Sequence, residues 1–209
     1  MMPTIPPSGL FYPNRFVRYL FLAMEDVMGT QGLASTRVLA EWEGPSLPPD
    51  DLERAVDFAA LTRLNLALNA MYGDRGGRGM ALRAGRSWFA HGLHHFGALR
   101  GVADPAFRAL PLEQRTLIGM QALAEVFTRF SDQSSRLIEQ PGTFQFVVAH
   151  SPFAHRISAE RPVCHLLVGV LQEALRWVSN GRDYSVRETH CVATGSENCI
   201  FVINRHPFA

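Results

Sequence analysis

A chain of 209 residues with 47% hydrophobic, 10% aromatic and 19% charged residues has the composition of a globular protein, which excludes a disordered or collagen-like one. Twenty basic against nineteen acidic side chains leave a formal net charge of +1, so the electrostatic footprint of a nucleic-acid binder is missing. Every basic residue is arginine, and without lysine both Schiff-base chemistry and a phosphate-loop lysine are excluded.

The proline-rich start MMPTIPPSGLFYPN has no basic n-region and so does not read as a secretory signal. No run of about 18 apolar residues follows, which predicts no membrane span and a cytoplasmic location. Asn14 is placed to cap a helix over 15–29, with Phe16, Leu20, Ala23 and Val27 on one face. A second helix covers 32–42 and is stopped by the glycine and prolines of WEGPSLPP. Asp50 or Asp51 then caps a long amphipathic helix over 51–73, with acids in its first turn. GDRGGRG interrupts the pattern; it fits neither a dinucleotide fingerprint nor a Walker loop, and reads as a junction where two helices approach closely. Helical periodicity resumes over 81–100, and after a connector again over 112–140, up to Pro141-Gly142. The character then changes. TFQFVVAH reads as a strand, 163–181 as a helix ended by Asn180-Gly181, and YSVRETHCVAT with NCIFVIN as a hairpin turning at Gly195-Ser196-Glu197. Helices followed by strands predict an α+β fold in a single domain, with a mainly helical part over 1–140 packed on a C-terminal antiparallel sheet within 141–209.

The three cysteines, Cys164, Cys191 and Cys199, all lie in the last quarter of the chain. With Glu188 the hairpin reads E-x2-C-x7-C. An odd offset between Glu188 and Cys191 points them to opposite faces of an ideal strand, so a bulge or an early strand end near Thr189-His190 is needed to aim both at one ion. Cys199 faces Cys191 across the turn, and Cys164 stands at a helix N-terminus that favours a thiolate. Three thiolates and a carboxylate suit a closed, structural zinc site; His165 and His190 are rival ligands, and small buried thiols without metal are the alternative.

The run RPVCHLLVGVLQEALRWVSNGRDYSVRETHCVATGSENCIFVI resembles the 4-vinyl reductase (hydrocarbon-binding) domain family. The resemblance is carried by Pro162-Val163-Cys164, Gly169, Gly181-Arg182, Arg187-Glu188, Cys191, Gly195 and Cys199, with one more residue between Cys164 and Glu188 than in the phenol- and xylene-responsive sensor domains. It implies a zinc ion held by Cys164, Glu188, Cys191 and Cys199 beside a ligand pocket, a fold similar to vesicle-tethering (TRAPP-like) subunits, and a homodimer formed through the helical part. It further implies a sensor or carrier of a hydrophobic or aromatic molecule, including a tetrapyrrole such as a bacteriochlorophyll precursor, that passes its signal to a separate protein partner. The alternative it implies is an enzyme, or enzyme subunit, reducing a vinyl group in bacteriochlorophyll biosynthesis. No Rossmann fingerprint or nucleophile elbow supports an enzyme acting alone, so no catalytic residue is assigned.

Candidate ligand contacts come from two segments. If 81–100 is one helix, His91, His94 and His95 share a face, with Trp88 one turn earlier; that face could orient a phenol or carboxylate, or supply an axial imidazole. Phe144, Phe146 and Val148 line one face of the first sheet strand, with Phe153 after it and Trp177 near the end of the following helix.

Overall fold

The computed structural model describes residues 4–208; the first three residues of the proline-rich lead and Ala209 lie outside that range. Two short segments, β1 (Phe11–Pro13) and β2 (Arg54–Asp57), pair antiparallel and bracket a long helix, α1 (Asn14–Leu39). The helix breaks at Gly29, where φ of 74° and ψ of 167° leave the helical region, so it consists of the two limbs the periodicity predicts. Helix α2 (Phe58–His91) breaks in the same way at Gly73. Beyond that break Gly77 lies against the end of the first limb, where a Cβ would stand 2.9 Å from the Leu68 carbonyl oxygen; GDRGGRG is a close junction of two helices.

Three expected boundaries move. Pro13, not Asn14, occupies the cap position of α1, and Asn14 is its first helical residue, whose amide nitrogen Nδ2 donates to Asp51 at 2.9 Å. Asp51 is therefore tied to Asn14 and Asp50 to Arg15, while α2 starts later, capped by Asp57, which accepts from the Ala59 amide at 2.7 Å. The segment RAVD is a strand because FYP offers it ladder partners before the helix begins. The stretch over 112–140 also divides. Helix α4 (Leu112–Phe130), which follows the short α3 (Pro105–Arg108), ends where Ser131 turns its backbone and hydroxyl onto the Phe127 carbonyl. What remains forms β3 (Ser135–Gln140), and Pro141-Gly142 is the turn of a hairpin rather than a helix stop.

The third boundary is α2 itself, which ends at His91. Gly92 lies against Tyr19, whose ring carbon would stand 2.0 Å from a Cβ there, and the chain leaves the helix into 3₁₀ turns at Leu93–His95 and Gly97–Ala103. Only Gly permits so close a passage.

The sheet consists of β3, β4 (Thr143–Val148), β6 (Cys199–Asn204) and β5 (Val186–His190) in that order, all antiparallel. Helix α5 (His165–Val178) joins β4 to β5 and packs against α2 and α4. The α2–α5 crossing is backbone on backbone: a Cβ on Gly85 would meet the Leu166 carbonyl oxygen at 2.0 Å, and one on Gly169 the Leu82 carbonyl oxygen at 2.2 Å. Helices first and antiparallel sheet last give the α+β class, and one hydrophobic core runs from Tyr12 through Trp88 to Ile203. No described helix is long and apolar enough to cross a membrane.

Candidate metal centre

The sequence places Cys191 at the end of β5 and Cys199 at the start of β6, so the hairpin's own ladder brings them together. Glu188 joins them through a register shift: it pairs with Phe201 and His190 with Ile200, leaving Thr189 as the extra residue of a bulge. The bulge cancels the odd offset between Glu188 and Cys191, as the spacing requires. After Cys191 the chain makes a 3₁₀ turn at Val192–Thr194, and the Val192 amide donates to Cys199 Sγ at 3.4 Å. Cys164 arrives from the opposite side, at the N-cap of α5. Its backbone N–H donates to Glu188 Oε2 at 2.8 Å, which locks helix start to strand.

The three sulfurs lie 3.8, 3.8 and 4.0 Å apart, and all are fully buried. A disulfide needs about 2.05 Å, so these are free thiols. A tetrahedron with metal–sulfur bonds of roughly 2.3 Å has an edge of about 3.8 Å, which is the spacing found. The ligand atoms of Cys164, Glu188, Cys191 and Cys199 all fall within 4.8 Å of one another, a grouping that could hold a metal ion. Glu188 Oε1 is buried and has no hydrogen-bond partner, so one ligand-competent oxygen in the cluster is left over. His190 is exposed and bonded to Thr189, and His165 is not in the cluster, so neither rival ligand is supported. Ser151, whose Oγ stands 3.1 Å from Cys164 Sγ, is a neighbour that spacing rules could not identify.

The electrostatics of the bare cluster are those of a site built for positive charge. Burial pushes the Cys164 thiol well above its ordinary value and, together with the adjacent Cys191 charge, raises the Glu188 carboxyl to about 9. Hydrogen bonds from Cys164 and then Cys199 hold Cys191 at about 2. The hydrogen bond from Cys164 pulls Cys199 down too, but its own donation to Cys191 and its burial outweigh that and raise it. The four acids thus share a single negative charge, and a dication at their centre would reverse the preference by releasing the remaining protons. The residues present fit a metal with soft sulfur preference and a closed coordination sphere.

The expected ligand contacts are less unified. Trp88, Phe144, Phe146 and Val148 are buried in the core. Trp88 donates its indole N–H to the Phe16 carbonyl at 2.8 Å, and its ring meets Tyr12, Phe127 and Phe153. The three histidines do not share one helical face, because α2 ends at His91. His91 Nε2 instead pairs with Asp26 at 2.5 Å on the surface. His94 bonds the Phe89 carbonyl at 3.0 Å and lies against His95 and Trp177, at 3.8 and 5.5 Å between ring centres. A separate cleft of about 310 Å³ opens between the α1–β2 loop and the start of α2, lined among others by Trp42, Pro45, Pro48, Asp57 and Arg63. Only the proline-rich loop hinted at it in the sequence.

Comparison with known proteins bears on both fold and site. No curated protein matches the chain. Among solved structures it is similar to an H-NOX protein from S. oneidensis in the Fe(II)NO ligation state, at 14% identity and a TM-score of 0.56, covering 92% of this chain and 99% of that one. It is similar to an oxygen-binding H-NOX domain related to soluble guanylate cyclases, at 13% identity and a TM-score of 0.55, covering 94% and 97%. A third similar structure, from a study of haem redox potential and porphyrin distortion, has 14% identity and a TM-score of 0.55 over 94% and 97%. At such identities the likeness is one of fold. Residues 144–205 match the model of the 4-vinyl reductase-type domain, a span that contains β4, α5, the hairpin and all four cluster residues, and this part of the chain belongs to that domain family.

Proposed function

We propose that this chain is a small-molecule-binding protein, a sensor or carrier, whose C-terminal wall is pinned by a structural zinc ion on Cys164, Glu188, Cys191 and Cys199. The observation that carries the reading is a 4-vinyl reductase-type segment enclosing a Cys3Glu cluster at tetrahedral spacing. Zinc would supply the two positive charges that let three thiols and a carboxyl ionise together. The chain's own groups then spread the excess negative charge, through the Val192 and Cys164 amides and the N-terminus of α5. With four protein ligands the ion fixes hairpin to helix and leaves no position for substrate.

The ligand is a hydrophobic or aromatic molecule. Trp88, Phe144, Phe146 and Val148 form its apolar lining, and His91, His94, His95 and Trp177 stand at the edge. The lining residues are fully buried among Tyr12, Phe127 and Phe153, so entry requires that aromatic cluster to open. A tetrapyrrole is the first candidate to try, since a similar fold appears in solved structures described in terms of haem, NO and oxygen. Three buried free thiols suit a reducing, cytoplasmic setting. Val38, 77% exposed beside the 40% exposed Leu39, supports a homodimer through the helical part.

Native mass spectrometry of protein purified from its own host tests this directly. The expected spectrum shows a dimer with one zinc per chain and a retained hydrophobic molecule. A metal-free, ligand-free monomer would contradict the reading, and catalytic turnover of a vinyl tetrapyrrole would convert it to the enzyme alternative.

A further inference from the structure

Away from the metal cluster, where α4 crosses the end of α5, a guanidinium is buried without a counter-charge. Arg115, in the first turn of α4, is 9% exposed, and its Nε and Nη1 have no hydrogen-bond partner among the described residues. One turn further on, Gly119 lies against Val178, so this face of α4 packs on the last turn of α5. Just beyond stands Tyr184, 3% exposed, whose hydroxyl is likewise buried and unpartnered. The polar groups around them are already engaged. Ser179 bonds to Arg176 and Arg182, Thr116 donates back into its own helix, and Glu113 and Glu139 are both taken by Arg205. The carbonyls of Leu175, Arg176 and Trp177, which end α5, already accept from its own cap.

A buried charge is tolerated only when it is paired, and buried polar groups are almost always bonded. Nε and Nη1 together present three N–H donors, and a neutral phenol adds a fourth. Burial raises the Tyr184 phenol above its ordinary range while Arg182 and Arg115 pull it back. A cluster of donors around one uncompensated cation calls for an acceptor bearing one negative charge. A carboxylate is small and monoanionic; a phosphate dianion would exchange a buried positive charge for a buried negative one. We propose that Arg115 and Tyr184 form a binding site for the carboxylate of a small organic acid at the α4–α5 crossing. The site is independent of the metal cluster and of the aromatic interior.

Thermal melting of the full chain in sodium benzoate and in sodium acetate, each against sodium chloride and sodium phosphate at equal ionic strength, tests it. The expected result is a melting temperature that rises with carboxylate concentration but not with chloride or phosphate. Arg115→Met should abolish the rise and, without carboxylate, melt no lower than the wild type, because it removes an unpaired buried charge. Tyr184→Phe should keep the fold and weaken the carboxylate response several-fold. The proposal is overturned if neither carboxylate shifts the wild type, if phosphate shifts it equally, or if the response survives in Arg115→Met. It is also overturned if that variant melts far below the wild type without carboxylate, since the chain itself would then be using the guanidinium.

Discussion

Glu188 is held by one oxygen and free at the other: Oε2 takes the Cys164 amide, while Oε1 has no partner. Glu188→Gln preserves shape and the amide contact but removes the anionic ligand. It should lower zinc affinity at least ~10-fold in a chelator competition, with the hairpin still folded when metal is in excess. Cys191→Ser removes a thiolate on which both other thiols converge. It should lose metal and about 3 kcal/mol of stability together, a fall of about 6–12 °C at the roughly 2–4 °C per kcal/mol usual for this size, read by calorimetry with metal analysis. Asp57 carries a different load. Burial alone would raise its carboxyl, but donations from Ala59, Ser8 and Gly9 win and lower it. Its contribution is therefore complete above the ordinary carboxylate range and fades as pH falls through the lowered folded value. Asp57→Ala should cost about 1–2 kcal/mol at neutral pH, and its stability deficit should shrink in denaturant melts taken toward pH 3.

Between elements, the tightest restraint is the α2–α5 crossing. Gly85→Ala would push a methyl group into the Leu166 carbonyl, with backbone on both sides and no flexible side chain to yield. Expression as soluble, cooperatively melting protein should be lost or Tm should fall sharply, whereas Gly79→Ala, with nothing within 4 Å of the new atom, should gain up to about 1 kcal/mol from helix propensity. The elements that were legible in the sequence are those whose burial is one-sided: the limbs of α1 and α2, α5, β4 and the hairpin. The bulge at Thr189 was legible as well, because an odd offset between Glu188 and Cys191 admits no other way to meet at one point. The strands β2 and β3 were not. Each is half-exposed, with burial that barely alternates, and only a distant or edge partner reveals it. Likewise nothing near His91 announces that Gly92 must slide past Tyr19, and so the three histidines part company. Trp88 and Phe144 show why a binding interior is harder to read than a metal centre: an apolar stripe has the same pattern whether it packs on its own chain or on a guest.

At the scale of the whole molecule, the N-terminal helices and the C-terminal sheet share one core, with α5 between them and Cys164 at its start. Pinning that start to the β5–β6 hairpin fixes the sheet-side wall of the aromatic interior. Since entry requires Trp88 and its neighbours to open, ligand uptake should be slow relative to diffusion and should change near-ultraviolet circular dichroism; an instantaneous, silent association would place the ligand at the surface instead. The central claim, that the hairpin is clamped to α5 through three sulfurs and one oxygen, is tested most directly by zinc-edge X-ray absorption on the purified full chain. The predicted shell has three sulfur neighbours at about 2.3 Å and one oxygen at about 2.0–2.2 Å. A six-coordinate nitrogen and oxygen shell, or protein that remains metal-free when purified with zinc present, would contradict it.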